Sequence, residues 1–214
     1  VGLQYLIDAD TVIGVSYRSE IDLDLSGNAD FTVPSSATFG GLGTVVFIDT
    51  GIDAGVTLPA SFALSIAHKV DKFTYLADIT WTGWSSFDEL RIRYDNPAQA
   101  DSVTPENWVD TLRYSAGFDY RHESNMVLRA GLAYDETPIP SAEFRTARTP
   151  GNDRTWLSFG LSYRIDSKSS IDLGYSHFFI GDAPINNADG TGAILSGHYA
   201  ASVDILSVQW NRTF

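Results

Sequence analysis

The segment from Leu112 to Asp135, LRYSAGFDYRHESNMVLRAGLAYD, leaves few folds open. Leu112, Tyr114, Ala116, Phe118 and Tyr120 alternate with Arg113, Ser115, Gly117, Asp119 and Arg121. After a polar turn at 122–125, Met126, Leu128, Ala130, Leu132 and Tyr134 alternate with Val127, Arg129, Gly131, Ala133 and Asp135. A period of two is the signature of a strand, because successive side chains point to opposite faces. Each of these two strands has one apolar face ending in tyrosine and one face of ions, small residues and glycines. The apolar face is expected to meet lipid and the other to line a wet interior.

The same alternation runs along the chain. Strands are expected at Leu3–Ile7 and Thr11–Ser26, the latter with Ile13, Val15, Tyr17, Ile21, Leu23 and Leu25 on one face. Val56–Val70 and Phe73–Tyr94 follow, then the opening hairpin, Trp156–Ile165, Ser170–Ile180 and Ser202–Phe214. Within Phe73–Tyr94 the apolar parity passes from Tyr75, Ile79 and Trp81 to Leu90, Ile92 and Tyr94, which implies a bulge or bend between Trp84 and Asp88. Connections alternate in length: short at 8–10, 71–72, 122–125 and 166–169, long at 27–55, 95–108, 136–153 and 181–199. Short turns at one end and long loops at the other mark an all-β, antiparallel transmembrane β-barrel with its long loops outside the cell. A soluble β-sandwich is the competing architecture, but its spacing would not sort loops by length in this way.

Charge and composition narrow the partners. Fourteen Lys and Arg against 27 Asp and Glu give a net charge of -13, so no basic face is expected for nucleic acid. There is no cysteine, hence no disulfide or thiolate metal site. No apolar run reaches the roughly 18 residues of a membrane helix. His68, His122, His177 and His198 have no metal-ligand spacing, no GxSxG elbow is present, and neither cofactor nor enzymatic activity is expected. An outer-membrane phospholipase is the enzymatic rival, and it would need a serine and a histidine meeting on the lipid face.

The pattern gives nine strands, and an antiparallel barrel of one chain closes with an even number. Residues 1–214 are therefore expected to be the C-terminal portion of a single barrel domain, with an odd number of strands and a signal peptide belonging before Val1.

Several short motifs, in collinear order, carry a family resemblance: Tyr17-Arg18-Ser19-Glu20, Thr57-Leu58-Pro59, Trp81-Thr82-Gly83-Trp84-Ser85-Ser86-Phe87, Arg113-Tyr114-Ser115-Ala116-Gly117, Asp135-Glu136-Thr137-Pro138-Ile139-Pro140 and Asp153-Arg154-Thr155-Trp156-Leu157-Ser158-Phe159-Gly160. Over its whole length the chain resembles the C-terminal half of the FadL family, outer-membrane transporters of long-chain fatty acids and hydrocarbons in Gram-negative bacteria. The resemblance implies the last nine strands of a fourteen-stranded barrel, with an N-terminal hatch and the first strands lying outside this sequence. It also implies passive uptake of a hydrophobic small molecule, a fatty acid or a hydrocarbon, through the cell outer membrane. Outer-membrane lipid and lipopolysaccharide would surround the protein, the barrel assembly machinery would insert it, and it would act as a monomer. Phe214, with Trp210, Val208 and Leu206 on the same parity, is similar to the C-terminal signal that machinery reads, although Arg212 departs from it. A general porin or structural barrel without hydrophobic-ligand specificity is the alternative function.

Capture of a greasy molecule needs apolar surface, since hydrophobic burial is the main affinity term. The candidates are Val45, Phe47 and Ile48 in the first long connection, Ile139 and Phe144 in the third, and Phe178 and Phe179 at the top of the eighth strand. Each has a plainer role open to it, packing loop against loop. Arg113 and Arg154 are the candidates for a ligand carboxylate, because a guanidinium fork matches two oxygens; within a lumenal ladder of charges they equally serve structure. One departure from the fatty acid members bears on this choice. Residues 95–109 contain no Lys or Arg where a basic residue is expected to contact the carboxylate, which favours a neutral hydrocarbon or another hydrophobic compound.

Overall fold

The computed structural model describes residues 1–33, 45–188 and 192–213. Among them, nine strands form one antiparallel meander: β1 (Gly2–Leu6), β2 (Thr11–Arg18), β5 (Ser61–Val70), β6 (Phe73–Thr82), β9 (Thr111–Glu123), β10 (Met126–Asp135), β11 (Arg154–Arg164), β12 (Ser169–Ile180) and β15 (Ser202–Arg212). Every neighbour in the sheet is also the next of these strands in sequence, the order of a barrel wall. Phe214 lies outside the described residues.

Register settles which side chains share a face. Ala130 stands opposite both Phe118 and Phe159, and Arg129 opposite both Asp119 and Gly160. The apolar set thus forms one continuous surface and the ionic and glycine set the other. Leu64, Phe118, Leu132, Phe159, Tyr175 and Leu206 are all exposed on the first surface, as a lipid-facing wall requires. That wall carries two polar clusters: Thr11 Oγ1 and His68 Nδ1 stand 2.8 Å apart near the short-turn ends of β2 and β5, and the Tyr175 hydroxyl and His177 Nδ1 both meet Asp204 Oδ1, each at 2.7 Å, near the long-connection ends of β12 and β15.

Six further strands lie beyond this sheet. β3 (Ile21–Ala29), β4 (Thr50–Leu58), β7 (Glu89–Tyr94) and β8 (Ser102–Pro105) make a second sheet, and β13 (Ala183–Ala188) pairs with β14 (Ile194–Tyr199). β8, β13, β14 and most of β4 fall in stretches read as connections and correct that reading, while β7 and most of β3 fall in stretches expected to be strands. The stretches Thr11–Ser26 and Val56–Val70 are each divided. Arg18 pairs with Ser61 and Ile21 with Leu58, so the register runs on across the break, and the ladder lapses where Pro59 has no N–H to donate. Phe73–Tyr94 is divided as its parity change requires, by a 3-10 turn over Trp84–Ser86.

Much of what is buried lies in these outer elements. Ile139, Ala183, Ile185, Asn96, Glu106 and Arg145 are all buried, whereas the wall contributes chiefly Ala133 and the strand-end residues Thr11, Thr111 and Ser169. A wall one strand thick has lipid on one side and lumen on the other, so its side chains have little to pack beneath.

Candidate ligand cleft and lumen wall

The inner face of the wall is a chain of paired ions. Asp78 accepts from the Ser115 hydroxyl at 2.8 Å and from Thr80 at 2.9 Å, and Arg113 lies 3.6 Å from it while donating to Thr80 Oγ1 at 3.2 Å. Arg129 stands 3.4 Å from Asp119 and donates to Ser162 at 2.6 Å; Ser162 in turn bonds Asp172, which also receives Asn211 at 2.7 Å. Arg154 pairs with Asp135 at 2.5 Å. Partly solvated pairs like these are each worth little, roughly 0 to 1 kcal/mol, but together they keep the wall polar and its charges matched.

Between the ions lies an apolar platform. Trp156 packs on Phe178 with ring centroids 4.6 Å apart, and the Arg113 guanidinium sits 5.7 Å from the Trp156 centroid. Trp156 opposes Phe178 and Ala133 in register, so all three rise on the lumen face. A hollow of about 650 Å³ opens against this wall, bordered by Gly117, Arg129, Gly131, Trp156 and Ser158.

Above it is a cleft of about 620 Å³ between the top of the wall and the outer connections. Leu58, Pro59, Trp84 and Trp108 line one side, Pro138, Ile139, Gly151 and Asn152 the other, with Arg154 and Asp135 at the base. Trp84 and Phe87 both meet Trp108 edge-on, with centroids 5.0 and 4.9 Å away. Ser85 N donates to Asp110 Oδ1 at 2.9 Å, which fixes the 3-10 turn that carries Trp84. Behind Trp108, Glu106 is only 2% exposed and accepts the indole N–H at 3.1 Å. Burial pushes the Glu106 carboxyl above its ordinary value; the Trp108 bond and the charge of Arg148 oppose the shift.

The roof of the cleft is two connections fastened together. Asp153 accepts Thr137 N at 2.8 Å and the Tyr134 hydroxyl at 2.6 Å, and its own carbonyl accepts Gly181 N at 2.9 Å. Asn186 N donates to Ala142 O at 2.8 Å, Asn187 Nδ2 to Glu143 O at 2.6 Å, and Asn152 Nδ2 to Asp182 O at 2.5 Å. Arg145, 3% exposed, donates from Nε to Gly151 O at 3.0 Å and from Nη1 to Pro184 O. Burial presses its pKa down and Asp153 counters, yet an arginine starts so high that it stays charged.

The candidate residues fall in different places. Arg154 and Ile139 border the cleft, Ile139 being 6% exposed, while Arg113 and Phe178 face the lumen. Phe179 points the other way: it opposes Thr155 and Ser202, packs its edge on His177 with centroids 4.3 Å apart, and is 54% exposed on the outer face. Alternation from Phe178 dictates this, since adjacent strand residues cannot share a face. Phe144 is half-buried in the roof and does not border the cleft. Val45, Phe47 and Ile48 are exposed at the far tip of the second sheet. There Asn96 Nδ2 holds the carbonyls of Val45 and Val46 at 2.9 and 3.0 Å, and Phe47 packs on Phe31 with centroids 5.8 Å apart. Trp84, Trp108, Trp156 and Arg145 are not among the sequence candidates, although Trp84 and Trp156 lie in the motifs of the family resemblance; for Trp156 the lumen parity of its strand is the available signal. His177 does lie on the outer face, but among the described residues it bonds to Asp204 and to no serine.

Comparison with known proteins agrees with this geometry. Residues 1–214 match the family described as outer membrane protein transport protein (OMPP1/FadL/TodX). A 47 kDa outer membrane protein of Pasteurella multocida is 32% identical over 82% of this chain and 42% of its own length. A long-chain fatty acid transport protein of Escherichia coli K12 is 28% identical over 86% of this chain and 42% of its own. The crystal structure of a Pseudomonas aeruginosa FadL homologue superposes with a TM-score of 0.89 at 26% identity, covering 99% of this chain and 51% of that one. The toluene transporter TbuX of Ralstonia pickettii shares the fold, with a TM-score of 0.67 at 20% identity over 100% of this chain and 46% of its own. The chain spans about half the length of the relatives it matches. It belongs to the OMPP1/FadL/TodX family of outer-membrane β-barrel transport proteins.

Proposed function

We propose that this chain forms the C-terminal nine strands of a fourteen-stranded barrel that takes up hydrophobic molecules passively across the outer membrane, with the hatch and the first strands outside this sequence. The observation that carries the reading is the cleft of about 620 Å³ in which Leu58, Trp84, Trp108, Pro138 and Ile139 stand among polar lining residues that include Arg18, Glu136 and the Asp135–Arg154 ion pair. Its size lies within the usual range for small-molecule sites, roughly 300 to 1,000 Å³, and its aromatic, proline and isoleucine surface suits a ligand held by hydrophobic burial. From there the Trp156–Phe178 platform offers the next apolar surface down the lumen. The reading is non-enzymatic, and it makes lipopolysaccharide the outer neighbour, the assembly machinery the route of insertion and one copy the working unit.

A neutral ligand is favoured over a fatty acid at Arg113 and Arg154, since both already face a carboxylate, Arg113 with Asp78 and Arg154 with Asp135, which leaves Arg18 as the other guanidinium in the cleft lining. The test uses the full-length protein in detergent with oleate and the uncharged dye N-phenyl-1-naphthylamine as probes. The dye should bind, and Arg113→Ala and Arg154→Ala should leave dye binding within twofold of the parent. Oleate that binds more tightly than the dye, and loses at least tenfold in either variant, would restore the carboxylate role. Steady ion conductance of porin size with no dye binding would favour a general porin.

A further inference from the structure

The roof over the cleft is held by a charge that has no obvious work there. Arg145 sits in a connection of polar residues, yet it is among the most buried side chains of the molecule. Burying a guanidinium is costly unless its donors are met. Two of them are met by backbone carbonyls from two different connections: Gly151 O, six residues along its own loop, and Pro184 O, in the hairpin β13–β14. Gly151 and its neighbour Asn152 border the cleft. One side chain therefore ties the cleft wall to a hairpin thirty-nine residues away in sequence.

The surrounding contacts have the same sense. Ala183 and Ile185 are buried on the side of the hairpin that meets the loop, and Asn186 and Asn187 reach the carbonyls of Ala142 and Glu143, just before Arg145. On its other flank the loop is secured by Val109 N to Pro138 O at 2.9 Å and by Arg148 to Thr104 at 3.0 Å. The loop is thus bonded on both sides, and among the described residues its charged fastening on the hairpin side is Arg145.

We propose that Arg145 is a positioning residue for the ligand cleft: by clamping β13–β14 onto the 136–153 connection it holds the Gly151–Asn152 wall in place and sets how long a hydrophobic ligand stays. This rests on the reading of the cleft as a ligand site. An arginine suits the task because its fork meets two carbonyls at fixed angles, whereas a lysine ammonium at this depth reaches one. Hydrogen bonds from a charged donor are also about twice as strong as neutral ones.

The experiment takes the full-length protein, whose barrel integrity is checked by its unheated gel mobility. This chain has no cysteine, so once any cysteine elsewhere in the full-length protein is replaced by serine, spin labels at Ala147→Cys and Ser196→Cys report the distance between loop and hairpin, both sites being exposed. A narrow distribution is expected with Arg145 present, a broad one in Arg145→Ala and an intermediate one in Arg145→Lys. In parallel, N-phenyl-1-naphthylamine should leave the cleft about tenfold faster from Arg145→Ala and less so from Arg145→Lys. A distribution that stays narrow in Arg145→Ala overturns the clamp. A broadened distribution with unchanged dye dissociation overturns the positioning role. If the parent binds no dye, the ligand reading fails, and the positioning role with it, while the spin-label distances still decide whether Arg145 is the clamp.

Discussion

Gly117 and Gly131 face each other across the β9–β10 pair on the lumen side, and the structure treats them unequally. A Cβ built on Gly117 would lie 2.7 Å from Ala130 O and 3.2 Å from Gly131 Cα, both backbone atoms that no rotamer change can move aside. On Gly131 the nearest atom would be Ala116 O at 3.5 Å, an ordinary contact. Gly117→Ala must therefore part the two strands by several tenths of an ångström at the centre of the wall. Strain of this kind costs about 1–3 kcal/mol. Gly131→Ala meets no such obstacle and removes an entropic liability worth about 0.5–1 kcal/mol in a strand interior. Urea unfolding of the full-length protein in micelles, followed by tryptophan fluorescence, should place Gly117→Ala below the parent and Gly131→Ala level with it or above. Equal midpoints for the two variants would refute the reasoning, because composition and face are the same at both sites and only the backbone approach differs.

Phe178→Ala removes the ring beneath Trp156, and aromatic pairs of this kind carry about 0.5–1.5 kcal/mol; dye affinity should fall several-fold, while Phe179→Ala, on the lipid side, leaves it unchanged in the same titration. Glu106 supplies a pH dependence. Its carboxyl is raised by burial, so the folded segment holds the proton more tightly than the unfolded one; closure is strongest below the ordinary carboxyl range and weakens as pH rises through the raised value. Glu106→Gln keeps an acceptor for the Trp108 indole and loses the charge. Amide exchange at Glu106 and Asn107, both bonded to Asp88 O, should then slow at neutral pH and lose its extra pH step. Identical profiles in variant and parent would assign the titration to another group.

The wall was legible in the sequence because lipid on one side and water on the other write a period of two into every strand. Phe118, Leu132 and Phe159 are apolar where Asp119, Gly131 and Ser158 are not, and a slip of one residue would exchange them. The bend at Trp84–Asp88 could be read for the same reason, as a break in parity. Outside the membrane that pressure disappears. Ala183-Pro184-Ile185-Asn186-Asn187-Ala188 has one β-branched residue among a proline and two asparagines, too little to mark a strand, yet it forms β13, because the partner it pairs with and the loop it packs on decide its conformation. The roof was hidden more completely. Arg145 reads as one more surface charge in a polar loop, and its burial follows from the meeting of two connections that no local spacing reveals. Among the candidates, Arg154 and Ile139 border the cleft because the strand end and the apolar position in a proline-rich loop both point inward; Phe179 follows Phe178 in the strand, and alternation sets it on the opposite face.

The fastened roof also has a bearing on how the wall is assembled. Gly181 N meets Asp153 O, and Asn152 meets Asp182 O, one and two steps beyond the last rung of β11 and β12. If β12 were to pair with β11 two residues out of step, the apolar faces would still match, because the period is two. Gly181 would nevertheless be carried about 7 Å past its acceptor, at roughly 3.4 Å per residue, and Arg145 would find no Pro184 carbonyl. The alternating pattern alone does not reject such an even slip, but the roof does, so the ornament above the membrane acts as a ruler for the strands within it.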